Sequence, residues 1–208
     1  MLGIDTITVF FLASVLLGLA PGPDNIYVLT QSAINGHAAG LVVTLGLCTG
    51  LLVHTSVVAL GVAALFHTST IAFNLFKLIG AAYLLFLAWQ AFKASGGAVD
   101  GRGVKRLQPL QLYRRGVLMN VTNPKVSLFF LAFLPQFTDP AIGSLALQTA
   151  QLGALFIVAT LLVFGSISLL AGTLGDFLRR SPRAFSIMNR ITGLVLGLLA
   201  IRLLIAER

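Results

Sequence analysis

From Asn25 to Phe76 the chain runs for 52 residues without an Asp, Glu, Lys or Arg. A membrane crossing needs about 20 apolar residues, so this run is too long for one span and must turn inside itself. Asn35-Gly36-His37 and His67-Thr68-Ser69 are its turn signals. No single water-soluble core hides such a run together with the rest of the chain, which is 208 residues long, 57% hydrophobic and only 10% charged, with a mean hydropathy of +0.97. The sequence therefore reads as an all-α integral membrane protein embedded in a lipid bilayer.

Six spans follow from the apolar runs. The first begins at the uncharged stretch Thr6 to Pro23 and ends at Asn35-Gly36-His37, and the second lies between the two turn signals. The third runs from Ile71 to Phe92. The segment from Lys93 to Arg115, with Gly96-Gly97, Gly101, Gly103 and Pro109, reads as a polar, basic loop. Span four covers Gly116 to Phe137, span five lies in the 36 uncharged residues between Asp139 and Asp176, and span six covers Phe185 to Ile205. Arg190 and Arg202 stand close enough to the ends of the last span to snorkel. The N-terminus has no basic n-region and no small-residue cleavage site, so its apolar stretch reads as a retained span. The only cysteine, Cys48, allows no intramolecular disulfide and reads as a small buried apolar residue.

The net charge of +8 sits at the ends of apolar runs and not in a dense patch interleaved with aromatics, which argues against nucleic acid as a partner. It argues instead for an orientation. Lys93, Arg102, Lys105, Arg106, Arg114 and Arg115 fall in the loop after span three, and Arg179, Arg180, Arg183 and Arg190 fall before span six. With six spans these two loops share a side, which the excess of basic residues places in the cytoplasm, with both termini outside.

Two spans are interrupted. Pro21 and Pro23 have no N–H, so the carbonyls of Leu17 and Leu19 lose their helical partners, and Ala20 and Gly22 are pushed out of α geometry. In span four, Pro124 frees the carbonyl of Asn120 in the same way. Gly22 and Asn123 then stand at the cap positions of new half-helices with proline at the first helical position, and each proline is followed by a charge, Asp24 or Lys125. Free backbone groups at membrane depth cost several kcal/mol each unless packed in protein or facing a cavity. A weaker echo joins Lys77-x-x-Gly80 to Arg190-x-x-Gly193. The fold predicted is two three-helix repeats, residues 1–92 and 116–208, joined by the 93–115 loop and inverted because each holds an odd number of spans. Helices 1 and 4 are broken at Pro21-Gly22-Pro23 and Asn123-Pro124, the pattern that marks a transporter's central site.

These residues resemble the LysE/RhtB family of amino-acid exporters. The likeness rests on Pro21-Gly22-Pro23-Asp24-Asn25 followed by Gly36, Gly40, Gly46 and Gly50, on Lys77-x-x-Gly80-Ala-Ala-Tyr83-Leu84, and on Asn123-Pro124-Lys125 leading to Phe133-Leu134-Pro135-Gln136-Phe137. It implies efflux of amino acids or close derivatives across a bacterial inner membrane, driven by the proton motive force, that is, by proton antiport.

An amino acid is a zwitterion, so its site wants an acid near the ammonium and a cation or helix N-terminus near the carboxylate. Asp24 and Lys125 offer one of each. The plainer readings stay open: Asp24 as a first-turn acid, Lys125 as a partner of Asp24 or of freed carbonyls, and Asn25 and Asn123 as helix-start residues. Lys77 reads as a snorkelling residue, His54 as packed and hydrogen-bonded, and Tyr83 and Trp89 as interface anchors. The glycines at 36, 40, 46 and 50, with Gly193 and Gly197, let helices approach closely, within the protomer or between copies in a homo-oligomer.

Other classes fit less well. An enzyme needs paired carboxylates, clustered metal ligands or a nucleophile with its base, whereas His37, His54 and His67 are scattered and the acids lie far apart. A channel favours rings of polar residues, and a metal exporter needs ligand clusters. No P-loop or cofactor motif is present, so an ion gradient is the expected energy source. An exporter of basic amino acids or of another small solute in the same superfamily is the alternative, ahead of an integral membrane enzyme.

Overall fold

The computed structural model describes residues 2–62, 69–93, 107–172 and 182–205. Among these residues there are eight α-helices and no strand: α1 (Ile4–Leu19), α2 (Pro23–Asn35), α3 (His37–Val57), α4 (Thr70–Lys93), α5 (Pro109–Val121), α6 (Pro124–Leu128), α7 (Leu145–Leu169) and α8 (Pro182–Ile205). The expected turn at His67-Thr68 lies outside the described residues, as do Arg102, Lys105, Arg106, Arg179 and Arg180.

Among the described residues three segments are each long and apolar enough to cross a membrane: His37–Gly61, Phe73–Lys93 and Leu145–Leu169. Two further pairs meet the same test only together. α1 and α2 are bent by 63° across the first proline break, and α5 and the segment from Pro124 to Phe137 by 47° across the second. Large apolar side chains cover the outside, among them Leu60, Ile71 and Leu198, a surface suited to lipid and not to water.

One sequence reading is corrected. The stretch 109–115 is not loop, because α5 already begins at Pro109. Proline at the first helical position is preset for a helix start, and the Gln108 N–H donates to Gln111 Oε1 at 3.0 Å to complete the cap. The basic residues Arg114 and Arg115 are therefore helical. Beyond α6 the chain loosens and then tightens, through a π-helical turn at Phe129–Phe133 and a 3₁₀ turn at Leu134–Phe137. Pro135 has no N–H for the Leu131 carbonyl, and the Gln136 side chain donates to the neighbouring Ala132 carbonyl at 2.8 Å.

Packing brings the two breaks together. α3 lies against α5 and α7, α1 against α7, and α4 against α8. The α3–α5 contact is close because both sides lack side chains: a Cβ on Gly46 would run into the Tyr113 carbonyl, and one on Gly116 into the Val43 carbonyl. Gly40 likewise faces Ser32 and Ser168. Two glycines depart from the close-packing expectation. Gly36 meets nothing within 4 Å and instead adopts φ +87° at the α2–α3 turn, while Gly197 faces open space. Two apolar clusters form the core. One gathers Phe10 of α1, Phe129, Phe130, Phe133 and Phe137 after the second break, and Phe156 of α7, with ring centroids 4.8 to 6.5 Å apart. The other joins Val28, Val43, Leu47, Leu112, Val163 and Phe164. Leu17 and Val126 belong to the first cluster and Val28 to the second, so both breaks lie where the chain passes between them.

Candidate functional site

The first break begins where α1 runs out of donors. Ala20 N–H still reaches the Leu16 carbonyl at 3.0 Å, Pro21 cannot donate, and Gly22 is extended (φ −162°, ψ 177°) before α2 starts at Pro23. Three carbonyls at the end of α1, those of Leu17, Gly18 and Ala20, find side chains instead. Lys125 Nζ donates to the Leu17 carbonyl at 3.2 Å and to the Ala20 carbonyl at 2.9 Å, and Asn25 Nδ2 donates to the Gly18 carbonyl at 2.7 Å. Lys125 also sits close to Gly22, 3.2 Å from where a Cβ would stand, so a side chain there would press the ammonium aside by a few tenths of an ångström.

At the second break Asn123 caps α6 by accepting from the Lys125 backbone N–H at 3.0 Å. Its amide nitrogen has a different task, donating to Asp24 Oδ2 at 2.8 Å. The freed Asn120 carbonyl accepts from Asn123 N–H at 3.0 Å and from His54 Nε2 at 3.2 Å, which leaves His54 a packed, hydrogen-bonded residue resting on the Phe130 ring. The structure thus brings Pro21, Gly22, Pro23, Asp24, Asn25, Asn123, Pro124 and Lys125 into one locus joining α1, α2 and α6.

The charges there are buried: Asp24 is 4% exposed and Lys125 8%. They do not form a direct pair, because Lys125 is turned to the α1 carbonyls and Asp24 to Asn123. Among the described residues Asp24 Oδ1 has no hydrogen-bond partner, and neither have Asn25 Oδ1 and Asn120 Oδ1. Three buried acceptors without donors are costly. What they lack in common is a donor, and a primary ammonium supplies three. Asn120 was not among the sequence candidates except through its carbonyl. Its signal was a polar residue one turn before a proline in an apolar span, and Gly50 leaves its side chain room, since a Cβ there would stand 2.6 Å from Asn120 Oδ1.

Long apolar helices, two of them broken and bound together through buried polar groups, define a multi-pass helical membrane protein with a polar centre. The chain belongs to the LysE type translocator family, whose profile matches residues 15–207. It is similar to a homoserine/homoserine lactone efflux protein of Salmonella typhi, 35% identical over 185 residues that make up 88% of either chain. It is also similar to an uncharacterized membrane protein of Vibrio cholerae, 33% identical over 88% of this chain and 89% of that one. A leucine efflux protein of Salmonella choleraesuis is 28% identical over 62% of either chain. No solved structure matches the chain.

Proposed function

We propose that this protein exports a neutral amino acid, of homoserine, threonine or leucine type, or a close derivative, across the bacterial inner membrane. The observation that carries the reading is the unpartnered Asp24 Oδ1 in the broken-helix centre. The substrate ammonium would bind there, between Asp24 and the Asn25 oxygen, and its carboxylate would face the uncapped first turn of α2 and the remaining N–H of Lys125. Membership of the translocator family and likeness to named homoserine and leucine efflux proteins support the same class.

Proton antiport follows from competition. A buried carboxylate holds either a proton or an ammonium, so a substrate arriving at Asp24 displaces the proton, and a proton returning from outside releases the substrate. Counting each bent pair as one span gives five crossings among the described residues, and α8, taken as the sixth on its place against α4 and not on that test, completes two inverted repeats of which the second begins with α5. The helix pairing fits an exchange of the halves: α3 packs on α5 as α7 packs on α1, while the α3–α7 and α4–α8 contacts map onto themselves. In this arrangement the connection between α4 and α5 is cytoplasmic and the termini are outside.

Counterflow in proteoliposomes tests transport and substrate together. Vesicles preloaded with homoserine, threonine or leucine should accumulate the labelled amino acid transiently. Vesicles that show no counterflow with any neutral amino acid would rule the assignment out.

A further inference from the structure

Arg115 reads in the sequence as one of several loop charges that set orientation. In the structure it stands in the second turn of α5, with its guanidinium 4.8 Å from the ring centroid of Tyr27 on α2. The contact crosses from the second half of one broken span to the first half of the other. Among the described residues no carboxylate lies within ion-pairing distance of Arg115. The contact with Tyr27 occupies few of the five N–H donors of the guanidinium, and those that remain can meet a carboxylate in the fork geometry that arginine offers.

Tyr27 also has a place along a line of polar groups. It follows Asp24 by three residues, so the two share a face of α2. Gln31 lies four residues further on and is buried at 2% exposure, and Asn35 four beyond that, donating to Gln31 Oε1 at 2.8 Å. Asn35, Gln31, Tyr27 and Asp24 thus mark a stripe from the α2–α3 turn to the break, on the side from which α5 also enters.

We infer that Arg115, held on the face of Tyr27, is a carboxylate-selecting station on the substrate's way to Asp24. This rests on the exporter reading above and adds a specificity residue to it. The substrate's carboxylate meets Arg115 first, and its ammonium then reaches Asp24. A substrate without a free carboxylate passes Arg115 without gain. The competing role, a basic residue snorkelling to the interface and packed on an aromatic, would treat both kinds of substrate alike.

Homoserine and its lactone separate the two, because they share the amine and only homoserine has a carboxylate. Uptake into everted membrane vesicles reads affinity at the former cytoplasmic face. Arg115→Gln should raise the half-saturating homoserine concentration about tenfold, the scale of a lost charge-assisted hydrogen bond, and leave lactone uptake as in the unmodified protein, which also reports correct folding. Tyr27→Leu should reproduce the effect more weakly, and Arg115→Lys should recover part of it. Equal loss for both substrates, or no change for either, overturns the inference. Should leucine or threonine be the substrate taken up, its amide replaces the lactone in the same comparison, and unmodified protein that takes up none of homoserine, threonine and leucine overturns the exporter reading itself, before any variant is compared.

Discussion

Asn123 Nδ2 donates to Asp24 Oδ2 at 2.8 Å across a separation of 99 residues, so the two helix breaks share one hydrogen bond. The same asparagine caps α6 through its other amide atom. Position of the buried acid and start of the half-helix are therefore set by one side chain. Asn123→Ala removes both at once. Loss of a cap costs about 1 kcal/mol, and a buried acceptor left bare about 1–3 kcal/mol more. Purified Asn123→Ala protein should melt several degrees lower in detergent, and Asn123→Ser, which keeps an N-cap acceptor, should melt between it and the unmodified protein. Equal melting of all three would mean that neither bond matters to the fold.

Asp24→Asn tests the centre of the site. The amide keeps the volume and still offers an oxygen to Asn123, but it lacks the charge that balances an ammonium and the group that carries a proton. Counterflow should fall by at least about a hundredfold, the scale of an unpaired buried charge, while membrane expression and melting temperature hold. Normal counterflow would reduce Asp24 to an acid in a helix's first turn.

Lys125 is expected to act chiefly on structure, since both its observed bonds run to α1 carbonyls. Lys125→Met keeps the length and leaves the carbonyls of Leu17 and Ala20 without donors at depth. The melting temperature should drop by more than in Asp24→Asn. A Lys125→Met protein that is fully stable yet inactive would instead assign the ammonium to substrate binding alone.

How far the sequence disclosed this arrangement depends on how local each cause is. Proline's missing N–H is local, so the breaks at Pro21-Gly22-Pro23 and Asn123-Pro124 were legible, as was the freeing of the Leu17 and Asn120 carbonyls. Which donors would reach those carbonyls was not, because Lys125 stands 108 residues from Leu17 and His54 stands 66 from Asn120. The start of α5 was misplaced for another reason. Charge and glycine content make the stretch read as loop, while its helix start rests on Pro109 at the first position and on the Gln108–Gln111 cap, a weaker signal. Glycines show the limit most plainly, since Gly36, Gly46 and Gly197 look alike in sequence and serve a turn, a helix contact and an open face.

That difference is itself testable. A Cβ on Gly46 meets the Tyr113 carbonyl, which is backbone and cannot rotate away, whereas one on Gly197 meets nothing within 4 Å. Gly46→Ala should separate α3 from α5 and lower the melting temperature markedly, by the 1–3 kcal/mol or so of an overpacked core. Gly197→Ala should be neutral or slightly stabilising in a helix. If Gly197→Ala is the damaging one, that face is buried against something beyond the protomer.

Substrate charge is the last expectation, and it follows from the carboxylates. Of the acids among the described residues, Asp5 and Asp139 are exposed, Asp139 capping Ala141 N–H at 2.8 Å, and Asp24 alone is buried. One buried carboxylate balances one α-ammonium. Lysine or arginine would bring a second positive charge beside Lys125 into a site of low dielectric, at a cost of several kcal/mol, and glutamate or aspartate would set a second carboxylate against Asp24. Counterflow of labelled homoserine should therefore be inhibited by neutral amino acids at concentrations at least tenfold below those needed for lysine or glutamate, a gap of about 1.4 kcal/mol. Lysine competing as well as homoserine would mean that a further acid enters the site and that the neutral assignment is wrong.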